Sequence, residues 1–173
     1  MKIGIDARLI DETGVGRYIR NLITELGKID RGNSYVVFLR KKSFDSCSLP
    51  NARWEARLAD VRWHSVAEQL FMPAIFSREH LDLLHVPYFN VPLFYFGKFI
   101  VTIHDLTILH FDTGKATTLP YVLYKIKRIF YYLILLKALH WSEKIIAVSG
   151  NTKREILEHF DVLPEHIDVI YEG

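Results

Sequence analysis

His104 and Asp105 are the residues of this sequence best placed to do chemistry. They follow directly on Phe99-Ile100-Val101-Thr102-Ile103, an apolar run that reads as a buried strand. A histidine at the carboxyl edge of such a strand faces a ligand crevice, and near neutral pH its ring donates or accepts a hydrogen bond. The competing role is a strand-end cap, with Asp105 opening the next helix. His85 closes a second apolar run, Leu81-Asp82-Leu83-Leu84-His85-Val86, with Pro87, Tyr88 and Asn90 just beyond. The third place is the turn Thr13-Gly14-Val15-Gly16, followed by Arg17 and a helical pattern. Bare N–H groups at a helix start hold an anionic oxygen with help from the helix dipole, and glycine lets a ligand approach the backbone. Gly14, Val15, Gly16 and Arg17 therefore form a candidate phosphate site, with a plain N-terminal turn as the alternative.

Other chemistries find less support. Gly14-Val15-Gly16-Arg17-Tyr18-Ile19 lacks the third glycine of a dinucleotide fingerprint and follows a loop too long for its tight turn. An NAD(P)-linked oxidoreductase is thus the weaker reading. Ser149-Gly150-Asn151 is no nucleophile elbow, and helix capping suits Ser149 better. Neither a Walker A run, an H-E-x-x-H motif nor an Asp-x-Asp pair occurs, and no metal cofactor is expected. Cys47 stands alone in a polar stretch, so no internal disulfide can form.

The elements that must position these residues alternate. Strands are expected over 2–6, 35–39, 52–58, 81–86, 99–103, 144–148 and 167–171. Helices are expected over 15–29, 64–79, 118–139 and 152–160. The first helix shows apolar residues at Tyr18, Leu22, Ile23, Leu26 and Ile29, spaced by three and four. Pro73 is expected to bend or divide the second. Residues 40–51 read as loop, and Thr152-Lys153-Arg154-Glu155 has capping-box spacing. The strands are continuous apolar runs, which indicates a parallel sheet covered on both faces. The expected fold is α/β, a doubly wound and mainly parallel sheet, with ligands beyond the carboxyl ends of the strands.

The 173 residues suit a single domain, half of them are hydrophobic, and the formal charge is only +2. That balance argues against a nucleic-acid partner. Met1-Lys2 leads straight into Ile3-Gly4-Ile5, with no secretory h-region, and no run approaches a membrane span. A cytoplasmic protein is expected. One segment stands apart: no acidic residue occurs between Asp112 and Glu143, while Lys115, Lys125, Lys127, Arg128 and Lys137 interleave with tyrosines, Phe130 and Trp141. The favoured reading is a core helix burying Val122, Ile126, Ile129, Leu133 and Leu136. The alternative is peripheral contact of 118–140 with an anionic membrane, on its inner face. Ile129 to Leu136 is apolar all round, so part of it must lie against the core, a partner or lipid.

Together these motifs resemble glycosyltransferase family 4, of the GT-B fold. The resemblance rests on Ile5-Asp6-Ala7-Arg8, Thr13-Gly14-Val15-Gly16-Arg17-Tyr18, Glu68-Gln69 with Met72-Pro73, and Thr102-Ile103-His104-Asp105-Leu106. It extends through Ile145-Ile146-Ala147-Val148-Ser149 with Thr152-Lys153-Arg154-Glu155 to Val169-Ile170-Tyr171-Glu172-Gly173. It implies that residues 1–173 are the Rossmann-like, acceptor-side N-terminal domain of a hexosyl-transferring enzyme. A C-terminal donor-binding domain, absent from this sequence, would be its partner, and this domain alone would have little or no activity. The donor would be a nucleotide-sugar and the acceptor a glycan or a lipid-linked molecule, with retention of configuration and no metal. Gly14 to Arg17 would approach the donor diphosphate, His104 would orient the reacting sugar, and His85, Tyr88 and Asp105 would shape the acceptor pocket. A non-catalytic glycan- or lipid-binding module of the same fold stays open beside this reading.

Overall fold

The computed structural model describes residues 1–106 and 121–172. Seven strands form one wholly parallel sheet: β1 (Lys2–Asp6), β2 (Ser34–Leu39), β3 (Trp54–Leu58), β4 (Leu83–Val86), β5 (Phe99–Ile103), β6 (Lys144–Ala147) and β7 (Ile167–Val169). Their order is β3-β2-β1-β4-β5-β6-β7. The described helices are α1 (Gly14–Ile29), α2 (Lys41–Phe44), α3 (Val66–Arg78), α4 (Tyr121–Trp141) and α5 (Gly150–His159). The start of the helix expected from 118 lies outside the described residues, as does Gly173.

The strand order decides where a ligand can sit. From β1 the chain moves one way, through β2 to β3. It then jumps back beside β1 to β4 and proceeds the other way. Right-handed crossovers send helices to opposite faces for the two directions, and a crevice opens where the order reverses. That place is the carboxyl edge of β1 and β4, where Ile5 pairs with His85.

Two cores flank the sheet. Ile5, Val37, Leu39 and Trp54 pack with Ile19 and Ile23 of α1 on one face. Phe38, Leu84, Val101, Ile103 and Ile145 pack with Met72 and Phe76 of α3 and with Leu135 and Leu139 of α4 on the other. Each inner strand therefore needs apolar residues on both sides, which is why the strands read as unbroken apolar runs.

Four expectations are corrected. Residues 40–51 are not wholly loop, because α2 forms there and seats Phe44 against the first core. Pro73 does not divide α3, which runs through it; Met72 and Phe76, both fully buried, hold the helix on the sheet on either side of it. The cap of α5 is Ser149, whose Oγ accepts the Thr152 N–H at 3.0 Å, so the capping-box reading from Thr152 starts the helix too late. Of the stripe expected to bury α4, only Leu136 packs on the core, in part, and the side chain of Val122 lies outside the described residues. Ile134, Leu135, Ala138 and Leu139 face the sheet, whereas Ile126, Ile129 and Leu133 are exposed. Helical periodicity alone offered several apolar stripes here, and the sheet chose between them.

Phe76 sits between Phe38 and Tyr95, with ring centroids 4.8 and 5.5 Å away and edge-on geometry. Phe76→Ala removes a fully buried ring and should cost about 3–5 kcal/mol. The check is a urea midpoint that falls with the slope unchanged.

Candidate functional site

The carboxyl edge is built on charge held out of water. Arg8, just past β1, grips Asp6 in a two-pronged pair, Nε donating to Oδ1 at 2.8 Å and Nη2 to Oδ2 at 2.6 Å. The same Nη2 donates to Glu68 Oε1 at 2.6 Å. All three side chains are buried. Glu68 comes from the first turn of α3, whose cap Ser65 accepts the Glu68 N–H through Oγ at 3.2 Å. The other oxygen of Glu68 accepts the His64 backbone N–H at 2.8 Å and a short hydrogen bond from the Asn90 amide. One carboxylate thus ties the end of β1, the start of α3 and the loop after β4. Burial raises the Glu68 pKa and the Arg8 charge pulls it down. The Ser65-Val66-Ala67-Glu68 spacing was the sequence signal for this cap.

His64 beside this network has φ of 55°, a left-handed conformation unusual for a side chain of its size. Its ring packs against Trp63 and Tyr131, with centroids 4.4 and 4.7 Å away. Burial, with Lys127 and Arg8 nearby, drives its pKa down to about 4. The ring is neutral at pH 7, and its buried Nε2 has no hydrogen-bond partner among the described residues.

His104 stands at the rim, beyond β5. Its Nε2 faces the Pro87 carbonyl at 3.0 Å, and its Nδ1 faces Glu172 Oε1 at 2.7 Å. A carbonyl only accepts, so Nε2 carries the proton. The contact at Nδ1 is an ion pair only when the ring carries a second proton. Tyr18, from the first turns of α1, packs edge-on to this ring with centroids 5.2 Å apart. The Tyr18 hydroxyl meets Thr102 Oγ1 at 3.0 Å, and His85 Nε2 meets the same hydroxyl oxygen at 2.8 Å. Burial chiefly, opposed by the Thr102 hydrogen bond and aided by Glu172, raises the Tyr18 pKa.

The structure therefore brings the helix start and His104 together through Tyr18, a residue the sequence reading used only as a helical marker. His85 lies beneath them, its ring edge-on to Tyr18 with centroids 6.4 Å apart. His85 was expected to shape an open pocket, but its ring is buried beneath the rim, and desolvation pulls its pKa to about 4. It lies on the α1 face of β4, where it supports Thr102. Tyr88 is half-buried against His104 and Phe89, and burial, then Asp105, push its phenol up to about 12. Asp105 is exposed beside it.

The glycine turn has two functions. The cap residue Thr13 makes no side-chain hydrogen bond to α1, and the first turn carries no acid. A Cβ on Gly14 would meet nothing within 4 Å, so that backbone is open. A Cβ on Gly16 would stand 2.5 Å from the Ile10 carbonyl oxygen. Gly16 is thus required by close packing on the preceding loop, a reason the sequence did not show. Val15 is half-buried, and Arg17 is exposed at the turn.

This is the carboxyl edge of a parallel sheet, with a helix start that carries no acid in its first turn and a histidine one strand from the switch point. The model of Glycosyltransferase Family 4 matches residues 13–173. The chain belongs to glycosyltransferase family 4. Among curated proteins none matches it. Among solved structures it is similar to the apo form of the lipopolysaccharide outer core galactosyltransferase WaaB, with a TM-score of 0.55 and 12% identity. All of this chain is covered, against 46% of that one, so this family 4 domain spans about half the length of the structure it matches. At that identity the likeness concerns the fold.

Arg8→Met leaves the Asp6 and Glu68 carboxyls buried without their cation and should cost about 3–5 kcal/mol at pH 7. A carboxyl with a raised folded pKa stabilises most in acid, and that contribution is lost as pH rises through the folded value. Losing Arg8 raises Glu68 further. The deficit of the variant should therefore shrink as pH falls towards about 4–5. Paired urea titrations of variant and wild type at pH 7 and in acid measure it.

Proposed function

We propose that this family 4 domain is the acceptor-side lobe of a glycosyltransferase that moves a sugar from a nucleotide-sugar to a glycan or lipid-linked acceptor. The observation that carries the reading is the meeting of the open α1 start and His104 at one rim, bridged by Tyr18. A second, C-terminal α/β lobe closes the cleft and holds the nucleotide. The bond from the anomeric carbon to the diphosphate oxygen breaks, and a bond to an acceptor oxygen forms with retained configuration.

Negative charge grows on the departing diphosphate. The N–H groups of the first α1 turn and the Arg17 guanidinium face it, preorganised and without an acid to oppose them. His104 orients the reacting sugar. In the present arrangement both of its nitrogens are engaged, so it must release one partner to serve the substrate. Glu172 is the more exposed of the two and the one that yields. Tyr88 and Asp105 line the acceptor side, and His85 acts beneath them through Thr102. The chemistry calls for no metal and no organic cofactor, and a cytoplasmic location suits a nucleotide-sugar donor.

Kinetics of the two-lobed enzyme, with the donor's hexose released and counted, test this. His104→Ala should lower kcat by about 10²–10³ with donor KM little changed, the size of one lost preorganised donor. Arg17→Ala should instead raise donor KM roughly tenfold, as loss of a hydrogen bond to a charged group does. A His104→Ala enzyme with undiminished kcat removes His104 from the reaction. Absence of transfer from every nucleotide-sugar tried by the folded wild type overturns the reading itself.

A further inference from the structure

Two polar atoms beside Glu68 are left without partners. The Glu68 Oε2 accepts both the His64 backbone N–H and the Asn90 side-chain N–H. The Asn90 amide thus gives its NH2 prong to Glu68 and carries Oδ1 on the other prong. Asn90 is only 4% exposed, and that buried oxygen meets no donor among the described residues. The His64 Nε2 is bare in the same way. Buried polar atoms are normally paired, so two bare ones tied to one carboxylate call for an explanation. His64 is also held at φ 55°. Backbone outliers persist only where the surroundings enforce them, and they cluster at binding and catalytic sites. Beside Asn90 lies a small cavity, walled by Asp6, Arg8, Glu68, Trp63 and Tyr88. It has about 10 Å³ open to a water-sized group, room for one. The Trp63, Tyr88 and Tyr131 rings stand around His64, with centroids 4.4, 6.0 and 4.7 Å away. Tyr88 in turn stands 6.3 Å from the His104 ring.

We propose that Asn90 and His64 are specificity-determining residues for the acceptor, and that the cavity takes one uncharged hydroxyl of an acceptor sugar. That hydroxyl donates to Asn90 Oδ1. A second hydroxyl of the same sugar meets His64 Nε2, and the sugar ring lies against Trp63 and Tyr88. Three observations select a sugar hydroxyl. First, the size of the cavity suits a hydroxyl and is too small for a carboxylate or a phosphate. Second, no cation is free to hold an anion there. Arg8 is the one cation among the lining residues. Its Nε and Nη2 are taken by Asp6 and Glu68, and its Nη1 faces the Val61 carbonyl at 3.4 Å. Third, the bare atoms are those of neutral groups. Asn90 Oδ1 only accepts, and burial drives the His64 pKa down to about 4, so its ring is uncharged at pH 7. The aromatic rings beside them offer flat apolar area to the carbon face of a sugar. A site that hydrogen-bonds a substrate hydroxyl rejects an analogue lacking it, because its buried polar groups are then left unpaired. The proposal rests on reading this lobe as the acceptor side. Sugar binding does not require transfer, so the two can fail separately.

The test is a titration of this chain, nitrogen-labelled for NMR, read at the Asn90 side-chain amide and the Trp63 indole. The probes are the methyl glycosides of glucose, galactose, mannose, rhamnose and N-acetylglucosamine, with sodium phosphate and sodium acetate as anions. At least one glycoside should shift both signals to saturation, and the anions should not. Asn90→Leu, followed at the Trp63 indole, should bind that glycoside about tenfold more weakly, as loss of one hydrogen bond does. This variant takes a donor from Glu68 and can fail to fold, so His64→Gly is the second. Glycine suits φ 55° and keeps the backbone N–H that Glu68 accepts. It should also bind about tenfold more weakly, and His64→Gln, whose amide reaches as far as Nε2, should recover part of the loss. Circular dichroism shows which variants are folded. If no glycoside moves these signals, the cavity holds water only and the proposal falls. Anions that move them more than sugars do, or a folded Asn90→Leu or His64→Gly chain that binds as wild type does, overturn it too. Sugar binding by a two-lobed enzyme that transfers nothing upholds this proposal and sinks the transferase reading instead.

Discussion

Arg8 lies between two buried carboxylates, and the geometry of the carboxyl edge follows from it. An unpaired guanidinium at that depth would be too costly to keep, so Arg8 must lie in contact with the Asp6 and Glu68 carboxyls. The contact is possible only if β1 ends where α3 begins, and Glu68 is fixed there by the Ser65 cap. Its second oxygen then holds the His64 backbone and the Asn90 side chain. The loop after β4 is tied down in this way, and with it Pro87, whose carbonyl receives His104. A structural ion cluster thus helps to set the position of the His104 ring beyond a different strand.

A second constraint acts from the other face. Gly16 lets α1 pack directly on the carbonyls of Leu9 and Ile10. That approach brings Tyr18 over β5, where its hydroxyl reaches Thr102 and its ring edge reaches His104. The helix start and the histidine are held together by packing and by one hydroxyl network, with His85 as its buried end. Rigidity of this kind is what electrostatic preorganisation requires. The more exposed partner of His104 at the rim is Glu172, on the last described segment.

The α4 surface follows a different logic. Its inner line packs on the sheet, and its outer line meets only the loop between β4 and β5, through Lys137 and Trp141. Lys137 ties the neighbouring loop to α4, its ammonium donating to the Leu93 and Tyr95 carbonyls. Burial lowers its pKa to about 8, which leaves it charged at pH 7 and able to hold the aromatic rings around it.

The fold class was legible in the sequence because a two-sided parallel sheet imposes an apolar signature on its inner strands, and those runs alternated with helical spacing. The candidate rim was legible too, since ligand positions in this architecture fall at strand ends, where His104 and the glycine turn stand. Residue identity could not say which way a ring at such an end would turn. His85 and His104 follow apolar runs alike, yet pleating sends one under α1 and leaves the other at the rim. Nor could spacing choose among the apolar stripes of α4, whose middle is apolar all round. The pairings of Arg8 with Glu68, 60 residues on, and of His104 with Glu172, 68 residues on, carry no local signal. They arise only when distant strands are laid side by side and burial forces each charge to find its opposite.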